Sequence, residues 1–301
     1  MKEKKIKIIA VVGPTASGKT ALAINLAKHF DGEIINADSR SIYQECSIAT
    51  AKPTQNERSG VPHYLFDVVK PDEVYTVSRY KQDAEKIIDQ IQRRDKLPIM
   101  VGGTGLYFDA VLRGFSFPPE SDNEIRKKLE NEETETLLKK LDKLDPSALV
   151  ATDRQNRRRI IRALAVCLST GEKFSNFKKT HPTGYEVLWL GIKWDKELLK
   201  SRIAKRAQIM IGDGVIEETK HLAQKYSFDL PAMTSIGYPI WKQVIEGKIT
   251  LEQAKKLFIS GDTKLLKKQN TWFKKNPEIN WLKPDESEIS ANQLVDKFLS
   301  N

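Results

Sequence analysis

Gly13-Pro14-Thr15-Ala16-Ser17-Gly18-Lys19-Thr20 is a complete G-x-x-x-x-G-K-[ST] loop. Before it, Ile6-Lys7-Ile8-Ile9-Ala10-Val11-Val12 is short, apolar and β-branched, as a buried strand should be. After it, residues 21–30 are rich in Ala and Leu, as a helix should be. Strand, loop and helix together are the context the motif requires. Successive loop N–H groups are then expected to turn inward as an anion nest at a helix N-terminus. Lys19 adds a movable positive charge, and the Thr20 hydroxyl is placed to hold Mg²⁺. Residues Gly13 to Thr20 thus predict a site for a di- or triphosphate.

Outward from the loop, strand and helix signals alternate. Residues 33–37 form a short strand signal ending at Asp38-Ser39, and a loop-rich stretch runs from Tyr43 to Asp72. Residues 77–94 carry Tyr80, Ala84, Ile87, Ile88 and Ile91 near helical spacing. Residues 98–104 read as a second buried strand meeting a Gly turn, and 106–112 begin a helix. This β-α-β-α order predicts an α/β fold, a P-loop NTPase-like parallel sheet flanked by helices. Thr20, Asp38 and Thr104 all follow strands, so they should converge on one crevice beyond the strand ends. From Pro118 the character changes to Glu- and Lys-rich helix without strand signal. The expected organisation is a core of 1–114 and 186–301 with a mainly helical insertion at 115–185. A strand at 185–192 and long helices at 196–226 and 251–275 complete the core. The tail from Pro284 is polar and carries no clear signal.

The chain has 301 residues, 40% of them hydrophobic, and a formal charge of +10. That charge suits a polyanionic partner and also suits a solvated Lys-rich surface. Two cysteines without CxxC spacing and four scattered histidines predict neither structural disulfides nor a zinc site. The charged Met1-Lys2-Glu3-Lys4-Lys5 followed by an apolar run resembles a leader. That run enters the phosphate loop with no small-residue cleavage site, so it is expected to be the first strand. No stretch approaches the roughly 20 apolar residues of a membrane span. A cytoplasmic, monomeric protein is the expectation.

Beyond the loop, Asp38 is either a turn aspartate or a general base or indirect Mg²⁺ ligand. Thr50-Ala51-Lys52-Pro53 offers a hydroxyl and an ammonium, and Gly102-Gly103-Thr104-Gly105 brings backbone close to a ligand or simply turns. Arg202 and Arg206 share one helix face and can neutralise a phosphate if they reach the nest. Residues 154–162 hold five arginines in nine positions, a density that favours phosphate and base contacts over a solvated face. Residues 264–275 interleave lysines with Trp272 and Phe273, which suits either an RNA surface or core anchors.

GPTASGKTALAI, the ADS at 37–39 with Tyr43, TAKP at 50–53, VGGTGLY at 101–107 and RRIIRAL at 158–164 resemble the tRNA dimethylallyltransferases. So do RI-x-x-R-x-x-x-M between 202 and 210, IGY at 236–238 and KKQ-x-TWF at 267–273. The motifs run from Gly13 to Phe273 in the family's order. The resemblance implies transfer of a dimethylallyl group from dimethylallyl diphosphate to the exocyclic amine of the adenine just 3′ of the tRNA anticodon. It implies Asp38 as the base, Lys19 and Arg206 on the departing diphosphate, and Mg²⁺ on Thr20. It also implies tRNA contacts at Asp38, Ser39, Arg40, Ser41, Thr104 and Arg126, and at Arg158, Arg159, Ile160, Ile161 and Arg162. Where many relatives have Gln, this chain has Ser41; where they have Glu, Ala165; where they have Arg, Lys264, Lys268 and Lys274. A metabolite kinase, a prenyltransferase of free adenine nucleotides and a non-enzymatic RNA binder are the competing readings. The first two leave the basic stretches unexplained, and the third leaves the intact loop beside Asp38 unexplained.

Overall fold

The computed structural model describes residues 5–177 and 180–301. Residues 1–4, most of the charged run weighed as a leader, lie outside them. The chain forms two compact units, one of residues 1–112 with 184–301 and one of residues 113–183. In chain order the first unit supplies β1 (Ile6–Val12), α1 (Lys19–His29), β2 (Gly32–Asn36), α2 (Gln55–Arg58), β3 (His63–Tyr64), α3 (Val77–Gln92), β4 (Leu97–Gly102) and α4 (Gly105–Leu112). The second unit follows with α5 (Asn123–Glu130), α6 (Thr134–Leu144), α7 (Pro146–Ala151) and α8 (Arg157–Thr170). The first unit resumes with β5 (Tyr185–Ile192), α9 (Lys196–Gly212), α10 (Val215–Lys225) and α11 (Gly237–Ile245). It ends with α12 (Leu251–Phe273), β6 (Asn280–Leu282) and α13 (Ser287–Ser300).

Among the described residues the sheet has six strands, ordered β3-β2-β4-β1-β5-β6, every neighbouring pair parallel. Ile8 to Val12 of β1 and all of β4 are continuously apolar because both faces are covered. Ile8, Ala10 and Val12 enter one core with Tyr80, Ile88, Phe108, Trp241 and Phe258. Ile9 and Val11 enter the other with Leu22 and Leu26 of α1 and Ala291 and Val295 of α13. Burying each such Ile or Leu contributes roughly 1.5–3 kcal/mol, so the central strand is the best-anchored element. The register sets Val12 beside Gly102 and Gly191, and Asn36 beside Val101. The segments beginning at Gly13, Ala37 and Gly103 therefore leave the same edge of the sheet together.

Three expectations need correction. The stretch 43–72 contains a capped helical turn and the short edge strand β3. Thr54 caps α2, accepting from the Glu57 N–H at 3.2 Å while the Glu57 carboxylate accepts from Thr54 N at 2.7 Å. Both elements are too short for periodicity to reveal. The single helix expected over 196–226 is two, because Gly214 takes φ +92° and starts α10 afresh. The polar tail forms α13, which buries Ala291 and Val295 and packs Leu294 and Phe298 against the same core.

The second unit has its own core, in which Leu129, Leu137, Leu141, Leu149, Ile160, Ile161 and Leu164 meet. Buried Asp145 ends α6 and caps α7, accepting from Ala148 N at 3.0 Å and Ser175 N at 2.7 Å. Burial alone would raise its carboxyl, but these N–H groups and the Ser175 hydroxyl hold it below the usual carboxylate range.

Candidate active site

The phosphate loop is preorganised from outside. Gly18 takes φ +88° and starts α1, whose first turn carries no capping side chain. Those N–H groups are therefore open to an anion. Trp194 Nε1 donates to the Ser17 carbonyl at 2.8 Å, and Arg202 Nε donates to the Ala16 carbonyl at 2.7 Å. The Arg202 guanidinium lies 4.3 Å over the Trp194 ring, so the two braces support each other. Gln269 of α12 accepts from Thr15 N at 2.9 Å and donates to the Gly103 carbonyl at 3.1 Å, tying the loop to the Gly turn after β4. Inside the loop, the buried Ser17 Oγ has no partner among the described residues.

Lys19 folds back, Nζ donating to the Pro14 carbonyl at 3.1 Å. Its pKa falls to about 8, chiefly because the ammonium loses water in the crevice and also because Arg206 is near; Asp38 and Asp262 oppose the fall. Arg206 reaches the same place from α9. Its Nη1 meets the Thr15 hydroxyl and lies 3.2 Å from Asp262 Oδ2. Both arginines of the α9 face thus contact the loop, Arg202 gripping its backbone and Arg206 its Thr15 side chain. Asp262 is 4% exposed, and burial raises its carboxyl pKa against the pull of Arg206 and Lys19.

Asp38 is held by its own turn. Asp38 N donates to Asn36 Oδ1 at 3.0 Å and Arg40 N donates to Asp38 Oδ1 at 2.9 Å. Asn36 Nδ2 donates to the Leu65 carbonyl at 2.9 Å, and Tyr80 Oη donates to the Asn36 carbonyl at 2.8 Å. Ser39 N donates to Thr104 Oγ1 at 3.0 Å, which joins the two post-strand segments. The glycines of 102–103 are required by close packing. A Cβ on Gly102 would fall 2.1 Å from the Ala37 carbonyl oxygen, and one on Gly103 2.3 Å from Gln269 Nε2. Gly102 thus lets two backbone segments meet and Gly103 admits the Gln269 side chain, while Gly102 lines one cavity of the site and Gly103 another.

Two cavities open here. One of about 450 Å³ is lined by Gly18, Lys19, Thr20, Asp38, Ser41 and Arg206. The other, of about 370 Å³, is lined by Asp38, Ser39, Arg40, Thr104, Asp262 and Trp272. Thr15, Asp38, Thr50 and Arg206 line both. Of the three residues expected to converge on one crevice, Thr20 lines the first cavity, Thr104 the second, and Asp38 both. Ser41 is buried, and Arg40 is anchored on the Pro231 carbonyl. Of the two α12 aromatics, Phe273 is a core residue, whereas Trp272 is 40% exposed and donates to Asp109 at 3.0 Å.

In the second unit the arginine cluster divides. Arg158 and Arg159 are exposed, and their guanidiniums have no protein partner among the described residues. Arg157 donates to the Thr134 hydroxyl at 2.8 Å and the Glu130 carbonyl at 3.0 Å. Arg162 donates to the Ser121 hydroxyl at 3.1 Å and the Pro119 carbonyl at 3.0 Å. These two use the guanidinium fork to tie chain segments. Arg126 is half-exposed and pairs with Glu130 at 3.3 Å. Ile160 and Ile161 correct the expectation of RNA contact, since their side chains are 0% and 5% exposed within the core.

The sequence reading passed over Asp262 and the roles of Asn36 and Gln269. Asp262 is the single acid in the lysine-rich stretch 253–275 and lies four positions from Phe258, three from Leu265, seven from Gln269 and ten from Trp272. All five line the second cavity. Among the described residues no three His, Cys, Asp or Glu gather as a metal site, and no helix is long and apolar enough to cross a membrane.

Residues 41–276 match the family model for IPP transferase. The chain is 40% identical over 98% of both chains to tRNA dimethylallyltransferase 2 of Geotalea uraniireducens. It is also 40% identical to tRNA dimethylallyltransferase 1 of Citrifermentans bemidjiense, over 99% of both. The crystal structure of the tRNA isopentenylpyrophosphate transferase of Bacillus halodurans matches with a TM-score of 0.75 and 33% identity, covering 98% of this chain and 97% of that one. A eukaryotic dimethylallyltransferase studied while acting on tRNA gives a TM-score of 0.84 at 25% identity, over 98% of this chain and 80% of its own. Similarity that spans the loop, the Asp38 turn, the insertion and α12 in one alignment has a single meaning: the chain belongs to the IPP transferase family.

Proposed function

We propose that the protein transfers a dimethylallyl group from dimethylallyl diphosphate to the N6 amine of the adenine 3′-adjacent to the anticodon of tRNA, releasing diphosphate. One observation carries the chemistry: Asp38 and Arg206 line both the phosphate-loop cavity and its neighbour. A donor diphosphate in the first and a flipped adenine in the second would meet at these two residues.

The adenine amine is a weak nucleophile because its lone pair is delocalised into the ring. The allylic carbon must therefore be made electrophilic by stabilising the departing diphosphate. The open N–H groups of α1, the unpartnered Ser17 hydroxyl, Lys19 and Arg206 supply donors for that developing charge. The N–C bond forms as the allylic C–O bond breaks, and Asp38 takes the amine proton. Such general-base help is typically worth ~10²–10⁴-fold.

Mg²⁺ fits the donor set as a partner of substrate phosphates and not of an all-protein cage. The Thr20 hydroxyl and Asp38 line the diphosphate cavity, and among the described residues Asp38 is the one carboxylate there. Thr20 would hold the ion directly and Asp38 through water. The ion would supply charge neutralisation to the diphosphate.

Exposed Arg158 and Arg159, with Arg126, are the RNA-contact residues of the second unit. We read the enzyme as a cytoplasmic monomer, which sedimentation of the purified chain tests. The reaction itself is tested by incubating the protein with tRNA, Mg²⁺ and dimethylallyl diphosphate and measuring nucleosides by mass spectrometry. Dimethylallylated adenosine is expected. Transfer to free adenosine monophosphate but not to tRNA, or phosphoryl transfer from ATP, would replace the reading.

A further inference from the structure

Asp262 is a buried carboxylate that the transfer chemistry leaves without a task. It sits in the middle of α12, 4% exposed, in a helix otherwise studded with lysines. A buried carboxylate is expensive unless paired, and a lone one is usually replaced by an apolar residue. Here the partner is specific. Asp262 Oδ2 lies 3.2 Å from Arg206 Nη1, and the same nitrogen meets the Thr15 hydroxyl. The guanidinium is thus fixed between a loop residue and a helix residue, and its Nε is buried with no partner among the described residues. Thr15 is itself pinned, its N–H bonded to Gln269 Oε1 at 2.9 Å. Asp262 and Gln269 are seven residues apart on one helix face, so α12 sets both the loop and the arginine.

We propose that Asp262 is the positioning residue for Arg206, holding its guanidinium at the wall shared by the two cavities. This rests on the role given above to Arg206 at the departing diphosphate. An arginine side chain has several rotatable bonds, and ordering it during the reaction would raise the barrier. With Asp262 in place, the charge stands where negative charge will develop before the donor arrives. A misplacement of about 1 Å can reduce a rate by 10²-fold.

The test is a double-mutant cycle on the intact enzyme with Asp262→Asn, Asp262→Ala, Arg206→Ala and the Asp262→Ala/Arg206→Ala pair. Asp262→Asn keeps the shape and one acceptor oxygen, so it remains informative if the Ala variant folds poorly; thermal midpoints of all four identify such a failure. The expected result is a drop in kcat for Asp262→Ala approaching ~10²-fold, with an intermediate drop for Asp262→Asn. The KM for tRNA should be unchanged, and the double variant no slower than Arg206→Ala alone. Additive losses in the double variant would overturn the proposal while leaving the proposed function standing. So would an Asp262→Asn enzyme with full kcat and a raised KM for tRNA, which would make Asp262 a reader of the acceptor. Full activity in Arg206→Ala would instead remove the role of Arg206 on which the proposal rests.

Discussion

At the scale of single residues, the site is a balance of two cations and two carboxylates in a small space: Lys19 and Arg206 against Asp38 and Asp262. Asp38 is the one whose loss should be felt chiefly in the chemical step. Asp38→Asn preserves the turn but cannot accept a proton, so kcat should fall by at least ~10²-fold. Pyrophosphate affinity, read by calorimetry, should stay within a few-fold because the loop and Lys19 remain. Normal turnover would reduce Asp38 to a turn residue. Lys19 makes a pH prediction. Its pKa in the free protein is about 8, and a bound diphosphate favours the ammonium, so the bound-state pKa is higher. Affinity for pyrophosphate should be full below about pH 8 and decline as pH rises from there toward the bound value. Lys19→Arg, which does not titrate in this range, should flatten the profile. The same depression has a stability consequence of opposite sense. A lysine whose folded pKa lies below its ordinary 10.5 is a burden whenever it is charged, and the burden eases only as pH climbs through about 8. Lys19→Met should therefore raise the thermal midpoint at pH 7 while removing pyrophosphate affinity.

At the scale of elements, α12 connects the catalytic parts. Gln269 satisfies a donor on the phosphate loop and an acceptor on the Gly turn, both from inside the protein. Gln269→Leu keeps the bulk and leaves Thr15 N–H and the Gly103 carbonyl unpaired. Each should cost about 1–3 kcal/mol of stability, seen as a lower urea midpoint with an unchanged slope. A loss below about 0.5 kcal/mol would mean that the loop and turn are held by other contacts. How much of this was legible in advance differs from element to element for physical reasons. The strands β1 and β4 were plain because both faces are buried, which makes the whole run apolar. The loop declared itself because anion binding demands fixed residue types at fixed spacing. α13 and the break at Gly214 were hidden for the opposite reason. The short apolar stripe of α13 (Ala291, Leu294, Val295 and Phe298) is interleaved with Ser, Asn, Asp and Lys, and one glycine in a long helical pattern is ordinarily tolerated. Asp262 was hidden because its partner lies 56 positions away, and nothing local marks a charge as buried.

At the scale of the whole molecule, a formal charge of +10 gives a general attraction for RNA, and the arginine cluster shows how little of that charge need touch it. Five arginines in nine residues looked like one surface. Arg157 and Arg162 turn inward onto carbonyls and hydroxyls, whereas Arg158 and Arg159 face out without a partner among the described residues. Two substitutions should therefore part company. Arg158→Ala/Arg159→Ala should weaken tRNA binding and reduce its log–log salt dependence by ~0.7 to 0.9 per lost phosphate contact. Its thermal stability and pyrophosphate affinity should not change. Lys at both positions should restore the salt dependence but not all of the affinity, since the planar fork is lost. Arg157→Ala should do the reverse. It leaves the Glu130 and Glu132 carbonyls and the Thr134 hydroxyl without their donor, so the 113–183 unit should unfold more readily, by amide exchange, at an unchanged salt slope. Exchange of the two outcomes, with Arg157→Ala flattening the slope and the exposed pair leaving it intact, would mean that Arg157 exchanges its internal partners for RNA phosphates when tRNA binds.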